Sequence, residues 1–557
     1  MENLKKNLMA IAPQNPSLYE RLLLPVGSDH VRFEGNELHY QYRQNWRHLL
    51  ATPLDDSRIE AYLGQNSLLL FGCGLADQLD VILKHHFNRL IICWERDPWL
   101  LRLFLMKRDY TNEISTGRIV FSLGADIFEI AAKPVSEAKI VADPLARQFY
   151  PNEYHLVLHG RQMRQLMLCR GDLYVDDTSE IFQAAGWSVY TWDLARIALE
   201  ESAYLFKKGR PDLIMSINYP VGLAEFCEER QVPMICWEVD PSIDVLPPLP
   251  APTRYSHIFS YRQPNLDEFG QAGFGSRHLI PLATNLKKRQ PLELTPAEWS
   301  KYQAPVSFVG SSMTDTATVQ WQTFINTYQS GEAQSEDVQR QKNMAIFDRI
   351  IEEQSHNWNE FLIAEIGRKY LNDVQPGGPD NPRKEFDWVM LIGETAASLR
   401  RLYFVKKLIA AGIQVWGDEG WKVLESDALH YRGPAGHGAE LTRIYNASRI
   451  NIDIGRFYQK DIVPMRIFDI LACGGFVIAE QNAALDELFV TGEELESYRT
   501  IEELLDKVSY YQTHPDQAKA IGQRGRLKVI ARHSIEQRLR EMFATANLSD
   551  LTPNFIG

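Results

Sequence analysis

The chain has 557 residues, 45% of them hydrophobic and 24% charged, the mix of a globular protein of three or four domains at ~100–200 residues each. A formal net charge of −13 disfavours generic binding to nucleic acid or to an anionic membrane. The start, Met1-Glu-Asn-Leu-Lys-Lys6, has no signal-peptide apolar segment, and no run approaches the ~18 apolar residues of a membrane span. The six cysteines, at 73, 93, 169, 227, 236 and 473, form no Cys-x-x-Cys pair, which predicts reduced, buried thiols in a cytoplasmic protein.

Residues 1 to about 65 read as mixed and helical, with a small hairpin near Val31 to Tyr42. Short apolar runs then alternate with helical ones: Ser67 to Phe71, Leu90 to Trp94, Arg118 to Phe121, Lys139 to Ala142. Such alternation predicts a parallel sheet with crossover helices. The turn Gly72-Cys-Gly74 follows the first strand, Glu95 the second and Asp126 the third, a pattern similar to an S-adenosylmethionine-type Rossmann unit. A second series of strands begins near 163. It runs through Gln165 to Cys169, Trp187 to Tyr190, Asp212 to Ser216, Val232 to Trp237, His257 to Ser260 and His278 to Leu282. Asp240 follows the fourth of these. A carboxylate at the carboxyl end of a parallel strand faces the ligand crevice and suits a general base for an acceptor hydroxyl. It equally suits a turn before Pro241. Asp172, Asp176 and Asp177 are weaker candidates.

A third series starts at Val306 to Gly310. A polar, helix-rich insert over about 315–385 interrupts it, ending in the breaker cluster Gln375-Pro-Gly-Gly-Pro-Asp-Asn-Pro382. The insert reads as extra solvated helices, or as a cap. The series resumes with the helix Arg400 to Ala411 and the strands Gly412 to Trp416, Ile450 to Asp453 and Phe476 to Ala479. The expected domains are therefore 1–160, 161–295 and 296–557, the last with its helical insert.

The most telling stretch is Asp461-Ile-Val-Pro464-Met-Arg466-Ile-Phe-Asp469-Ile-Leu-Ala-Cys-Gly474-Gly475-Phe-Val-Ile-Ala-Glu480. It predicts a loop, a helix starting at Pro464, a Gly-Gly break and a buried strand. Proline is tolerated in a first turn because its missing N–H has no intrahelical acceptor there. The helix start is an anion site, and Arg466 adds a forked cation. Asp469, three residues on, shares a helix face with Arg466. The plain alternative is a helix–strand unit with a surface Arg–Asp pair.

This stretch resembles the C-terminal domain of the spore-maturation CgeB-like glycosyltransferases, whose pattern runs Pro-x-Arg-x-Phe-(Glu/Asp)-x-Leu-Ala-Cys-Gly-(Gly/Ala)-Phe. The likeness extends over roughly 300–545, through Glu440-Leu-Thr-Arg-Ile-Tyr to Asp453 and on to Gly525. It implies an α/β fold of GT-B type: two Rossmann-like domains with a nucleotide sugar between them, here with an additional N-terminal Rossmann-like domain. By this resemblance Asp469, where many relatives carry Glu, holds the nucleotide ribose. Gly310 and Ser311 face the diphosphate, Trp416 and Gly417 lie near the base, and Gly474 and Gly475 complete the donor motif. His437, in a Gly-rich loop, is a further candidate for phosphate or for solvent. Residues 1–160 resemble the motility-associated-factor (Maf) flagellin glycosyltransferases, with Asn7-Leu, Glu60-Ala61 and the Gly-x-Gly turn as the shared features. That implies a flagellin Ser or Thr acceptor, with a glycan as the other. The chain shows no Asp-x-Asp in a strand–loop setting and no other metal motif, which favours metal-independent transfer with no cofactor beyond the donor. The competing functions are a bifunctional methyltransferase–glycosyltransferase and a non-catalytic sugar-nucleotide-binding scaffold.

Overall fold

The computed structural model describes residues 2–554, apart from 26, 36, 43–44, 50–61, 63, 75–76, 86–87, 133–137, 172, 195, 197–198, 241–245, 329–334, 372–386 and 460. Glu60-Ala61, Asp172, Pro241 and the breaker cluster 375–382 therefore lie outside the described residues. The chain forms two compact units. One is Met1–Trp237 with Thr253–His257 and Ala546–Gly557; the other is Glu238–Pro252 with Ile258–Thr545.

In the first unit, β1 (Val31–Glu34), β2 (Glu37–Tyr42) and β3 (Asn45–His48) make an antiparallel meander. The strands β4 (Ser67–Phe71), β5 (Leu90–Glu95), β6 (Ile119–Leu123) and β7 (Ala138–Ala142) form a parallel sheet in the order β6-β5-β4-β7. Their apolar runs are continuous because helices cover both faces. Leu68, Leu70, Ile91, Cys93 and Phe121 sit in one core with Ile11, Leu18 and Leu22 of the first two helices. Helix starts follow a simple local code: Asn15-Pro16, Asp97-Pro98 and Asp143-Pro144 each place a capping side chain before a proline. A second parallel set follows: β8 (Arg164–Cys169), β9 (Trp187–Trp192), β10 (Leu213–Ile217) and β11 (Met234–Glu238), paired β11-β10-β8-β9.

The strand β12 (Ser256–Ser260) is where the division between units falls, and β13 (Ser276–Leu279) follows it. The second unit is built on β14 (Ala304–Val309), β15 (Ile413–Trp416), β16 (His430–Tyr431), β17 (Ser448–Ile452), β18 (Val477–Glu480) and β19 (Glu496–Tyr498). All pair in parallel, in the order β16-β15-β14-β17-β18-β19. Read from β14 as the first strand, this is the order 3-2-1-4-5-6 of a doubly wound sheet, whose switch point lies between β14 and β17.

The insert between β14 and β15 differs from the solvated helices read in the sequence. Helices Thr314–Thr327, Glu336–Ser355, Ile363–Gly367 and Trp388–Leu408 share an apolar core that includes Phe324, Phe347, Ile350, Ile363 and Ile392. Their polar residues dominate the sequence impression because only a few sites per helix face inward. All six cysteines are free and buried. Among the described residues no helix is long and apolar enough to cross a membrane.

Two predictions follow from packing. Helix Met465–Ala472 lies on helix Pro515–Arg532, where a Cβ on Gly525 would meet the Glu494 carbonyl oxygen at 2.1 Å and Leu471 Cδ2 at 2.6 Å. Gly525→Ala should therefore lower unfolding stability by ~1–3 kcal/mol, read as a lower urea midpoint; a wild-type midpoint would show slack in this contact. In the first unit the buried Glu95 carboxylate accepts from the Cys73, Arg96 and Asp97 N–H groups, and burial pushes it up to about 7 from 4.5. The unfolded chain sheds this proton first, so stability should fall as pH rises from 4.5 to about 7. Glu95→Gln should flatten that slope in melts at pH 5 and 7.5; an identical slope would refute the assignment.

Candidate functional site

The switch point of the second unit is lined by charge. Arg401, in the second half of helix Trp388–Leu408, is 6% exposed and donates through Nη1 to the Ser311 carbonyl at 2.7 Å and through Nη2 to the Ile454 carbonyl at 3.1 Å. Ser311 lies two residues beyond β14 and Ile454 two beyond β17, so one guanidinium ties the ends of both switch-point strands. Its Nε has no partner among the described residues. Burial, then the neighbouring charges of Arg466 and Arg456, push its pKa down to about 9. A guanidinium does not give up its proton near neutrality. The shift instead marks a buried cation on which burial and two arginine neighbours outweigh the opposing charge of Asp453.

Arg466 stands beside it. It donates through Nη1 to Asp453 Oδ1 at 2.5 Å, and its guanidinium lies 4.9 Å from the Phe308 ring. Asp453 is 2% exposed; burial holds its carboxyl above the ordinary value against the pull of Arg466, with Glu480 adding to the rise. Glu480 itself is engaged by Arg400 in a two-pronged pair at 2.8 and 2.9 Å. Arg456 donates to the Tyr458 hydroxyl, which bonds Glu394 at 2.5 Å. Arg401 and Arg466 thus face Asp453, and Arg456 faces Glu394 behind Tyr458. They line a cavity of ≈ 140 Å³ with Pro464 and Gln459, whose buried Nε2 also has no partner among the described residues. The helix Met465–Ala472 opens onto it, and the first-turn N–H groups of a helix have no intrahelical acceptor.

The residues expected from sequence divide into those gathered here and those placed elsewhere. Pro464 is the N-cap of the helix rather than its first residue. Gly310 abuts Arg466: a Cβ there would lie 2.9 Å from Arg466 Nη2. Gly417 abuts Gly310 in turn, with its Cβ position 2.2 Å from the Gly310 carbonyl oxygen. The turn N–H groups are spent within the protein, however. Gly310 N–H goes to the Trp416 carbonyl, Ser312 N–H to Asp418 Oδ2, and the Ser311 hydroxyl to the same oxygen. Trp416 is 3% exposed and packs with Tyr302, Ile444 and Ala447, so its ring belongs to the core. Gly474 and Gly475 end the helix at its far side, where the N–H of Gly474 returns to the Leu471 carbonyl and that of Gly475 to the Ile470 carbonyl. Asp240 is exposed, and its carbonyl accepts from Asn265 Nδ2. The Tyr261 hydroxyl is raised above its ordinary value chiefly by burial, with Arg262, Asp240 and Arg456 also acting on it. His437 is exposed, and its carbonyl holds Arg289.

Asp469 corrects the sequence reading most. It is 3% exposed rather than on a helix surface, and it does not pair with Arg466. Its Oδ2 accepts from Arg289 Nε at 3.0 Å and its Oδ1 from Thr284 Oγ1 at 2.5 Å. Arg289 is otherwise held by the carbonyls of His437 and Gly438 and by the Thr442 hydroxyl. Burial raises the Asp469 carboxyl against the pull of Arg289 and Thr284. The helix buries Ile467 through Ala472 without a break, so it has no outer face for an Arg–Asp pair. Sequence reading missed Arg401, Arg456, Asp453 and Arg289. Only Asp453 and Arg456 carried a signal, following a strand as Asp-Ile-Gly-Arg; arginines inside helices or loops carry none. Among the described residues there is no cluster of three His, Cys, Asp or Glu placed to hold a metal.

Residues 399–544 match the family model described as Glycosyl transferase-like. That stretch carries Arg401, Asp453, Arg456 and Arg466, and it makes this part of the chain glycosyltransferase-like. Sucrose-phosphate synthase from Thermosynechococcus elongatus is 13% identical, with a TM-score of 0.38 over 70% of this chain and 97% of that one. A glycosyltransferase from Rickettsia africae is 11% identical, with a TM-score of 0.37 over 87% and 98%. The Anabaena protein HepE in complex with UDP-glucose is 12% identical, with a TM-score of 0.36 over 77% and 96%. At such identity the likeness says nothing of substrate. Among curated proteins, no sequence matches the chain.

The Arg289–Asp469 pair gives a stability prediction. Removing one partner leaves a buried charge uncompensated, so Asp469→Ala should destabilise by ~3–5 kcal/mol. Chemical unfolding measures it; a loss within ~0.5 kcal/mol, the range for surface changes, would contradict the buried pairing.

Proposed function

We propose that the chain is a nucleotide-sugar-dependent glycosyltransferase of GT-B type that moves the sugar to an acceptor hydroxyl. The observation that carries this reading is the cluster of Arg401, Arg456 and Arg466 at the switch point, short of one counter-charge and facing the helix start at Pro464. A nucleoside diphosphate supplies that charge. As the bond between sugar and diphosphate breaks, charge grows on the leaving oxygen, and fixed donors aimed there stabilise the transition state more than the ground state. Arg466, 18% exposed and steered by Asp453, is the donor assigned to that oxygen. Gly310 and Gly417 keep the neighbouring backbone close and bare of side chains. Asp240 is the general base for the acceptor. Asp469 enters as the anchor of the helix, since Arg289 and Thr284 already take both of its oxygens.

The acceptor we infer is a flagellin Ser or Thr, supported by the likeness of the N-terminal region to the Maf glycosyltransferases. A methyltransferase role there is disfavoured. Glu95 is engaged by the Gly72–Gly74 turn, and a Cβ on Gly72 would meet Ala146 Cβ at 2.1 Å, so the turn is packed against protein.

Nucleotide release from a panel of nucleotide sugars, with and without flagellin, tests the proposal. Arg466→Ala should lower kcat by ~10²–10³-fold, as loss of one transition-state donor does. Arg466→Lys should lower it less, with smaller changes in donor KM for both. Wild-type kcat in Arg466→Ala would overturn the mechanism, and no turnover of any donor would overturn the function.

A further inference from the structure

The helical insert between β14 and β15 grips the carboxyl ends of three neighbouring strands through its last helix, Trp388–Leu408. After β14, Ser398 Oγ donates to the Ser312 carbonyl at 2.9 Å and Arg401 to that of Ser311. After β17, Arg401 donates to the Ile454 carbonyl. At the end of β18, Arg400 forks onto Glu480 while its Nε holds the Trp358 carbonyl of the insert at 2.7 Å.

The loop after β17 is held twice more. Phe457 is buried in the apolar core of the insert, edge-on to Phe361 with ring centroids 5.5 Å apart, and the Arg400 guanidinium lies 4.6 Å from its ring centre. The Tyr458 hydroxyl donates to Glu394 Oε1 at 2.5 Å, a charge-assisted bond. The residues on either side of this anchored pair, Arg456 and Gln459, line the guanidinium cavity. Arg456 is exposed, and its Nη1 lies 3.5 Å from the Tyr458 hydroxyl. One side of the loop therefore belongs to the insert and the other to the cavity.

We propose that the insert is the positioning frame of the donor site, and that Glu394, acting through Tyr458, is the positioning residue for Arg456. The inference rests on the reading of the cluster as the seat of the donor diphosphate. A loop leaving a strand has many conformations, and an exposed arginine has much rotamer freedom to lose. An anion that must first order both binds more weakly. Fixing Phe457 and Tyr458 in advance removes that cost, so Arg456 meets the diphosphate already in place. Glu394 and Tyr458 do this without touching the ligand.

The test is calorimetric titration of the full-length protein with inorganic pyrophosphate, which carries the diphosphate without base or sugar. Wild type should bind it saturably, and Arg456→Ala about tenfold more weakly, the worth of one charge-assisted contact. Tyr458→Phe keeps the ring and Glu394→Gln keeps the shape. Each should weaken binding by roughly three- to tenfold, the cost of ordering one long side chain on binding. Either one added to Arg456→Ala should cost nothing further, because the tether acts only through that guanidinium. Loss of packing alone would instead weaken binding by the same factor in both backgrounds, and such additivity would overturn the role. Wild-type affinity in both Tyr458→Phe and Glu394→Gln would also overturn it, as would no saturable pyrophosphate binding by wild type. Circular dichroism melts check each fold, and if Glu394→Gln fails to fold, Tyr458→Phe decides alone. Pyrophosphate binding that follows this pattern, with no turnover of any nucleotide sugar, would defeat the glycosyltransferase reading and uphold the frame.

Discussion

Arg401 sits where the sheet of the second unit changes direction, and it donates to the carbonyls just beyond β14 and β17. Those two strands run side by side, but the strands that follow them in the chain, β15 and β18, lie towards opposite edges of the sheet. Their carboxyl ends therefore splay into a crevice, and without a bridge the loops would present unpaired carbonyls to each other. A guanidinium spans the gap with geometry no lysine could reproduce. The consequence is a positive charge set deep in the protein. Everything around it adjusts: Asp453 turns to Arg466, Glu480 to Arg400, and Gly310 and Gly417 stay bare so that the strand ends can close up. The carboxylate that Arg401 feels, Asp453, is hydrogen-bonded to Arg466 instead.

The two units meet the same problem at the carboxyl ends of their strands in different ways. In the first, the crevice of β4 and β5 is filled from within. Glu95 takes the turn N–H of Cys73, and the start of helix Pro144–Phe149 packs on the glycines. In the second, the equivalent region holds guanidiniums and open volume. A shared strand order does not imply a shared ligand. What distinguishes the crevices is whether side chains of the protein already satisfy the backbone there.

Most of this architecture was legible in the sequence. Each apolar run read as a strand appears as one, within a few residues, because β-branched and aromatic runs bounded by glycine and aspartate have few other fates. The short strands β3, β16 and β19 escaped notice, having too few residues to show a period. The site was half legible. Arg466 and Pro464 stand where the motif put them, since capping and helix-start chemistry are local. Asp469 differs in its setting, buried against Thr284 and Arg289 rather than on a helix surface, because tertiary packing left that helix no wet face. Arg401 and Arg289 were invisible for a related reason. A buried arginine looks in sequence like any solvated one, and only its carbonyl partners, 90 and about 150 residues away, distinguish it.

The burial of the helix Met465–Ala472 reaches beyond packing. Its first turn meets the guanidinium cluster, while its last turn packs on Gly475 through Ile470, and Gly475 is backed in turn by Gly522, whose Cβ position lies 2.9 Å from the Gly475 carbonyl oxygen. Side-chain bonds from Asp469 fix its middle. A helix held at both ends and at its centre has no low-energy way to slide or fray. The amide protons beyond its first turn have no local opening through which to exchange with solvent, so they report the breathing of the whole second unit. Any anion seated on its first turn is felt by all of them at once.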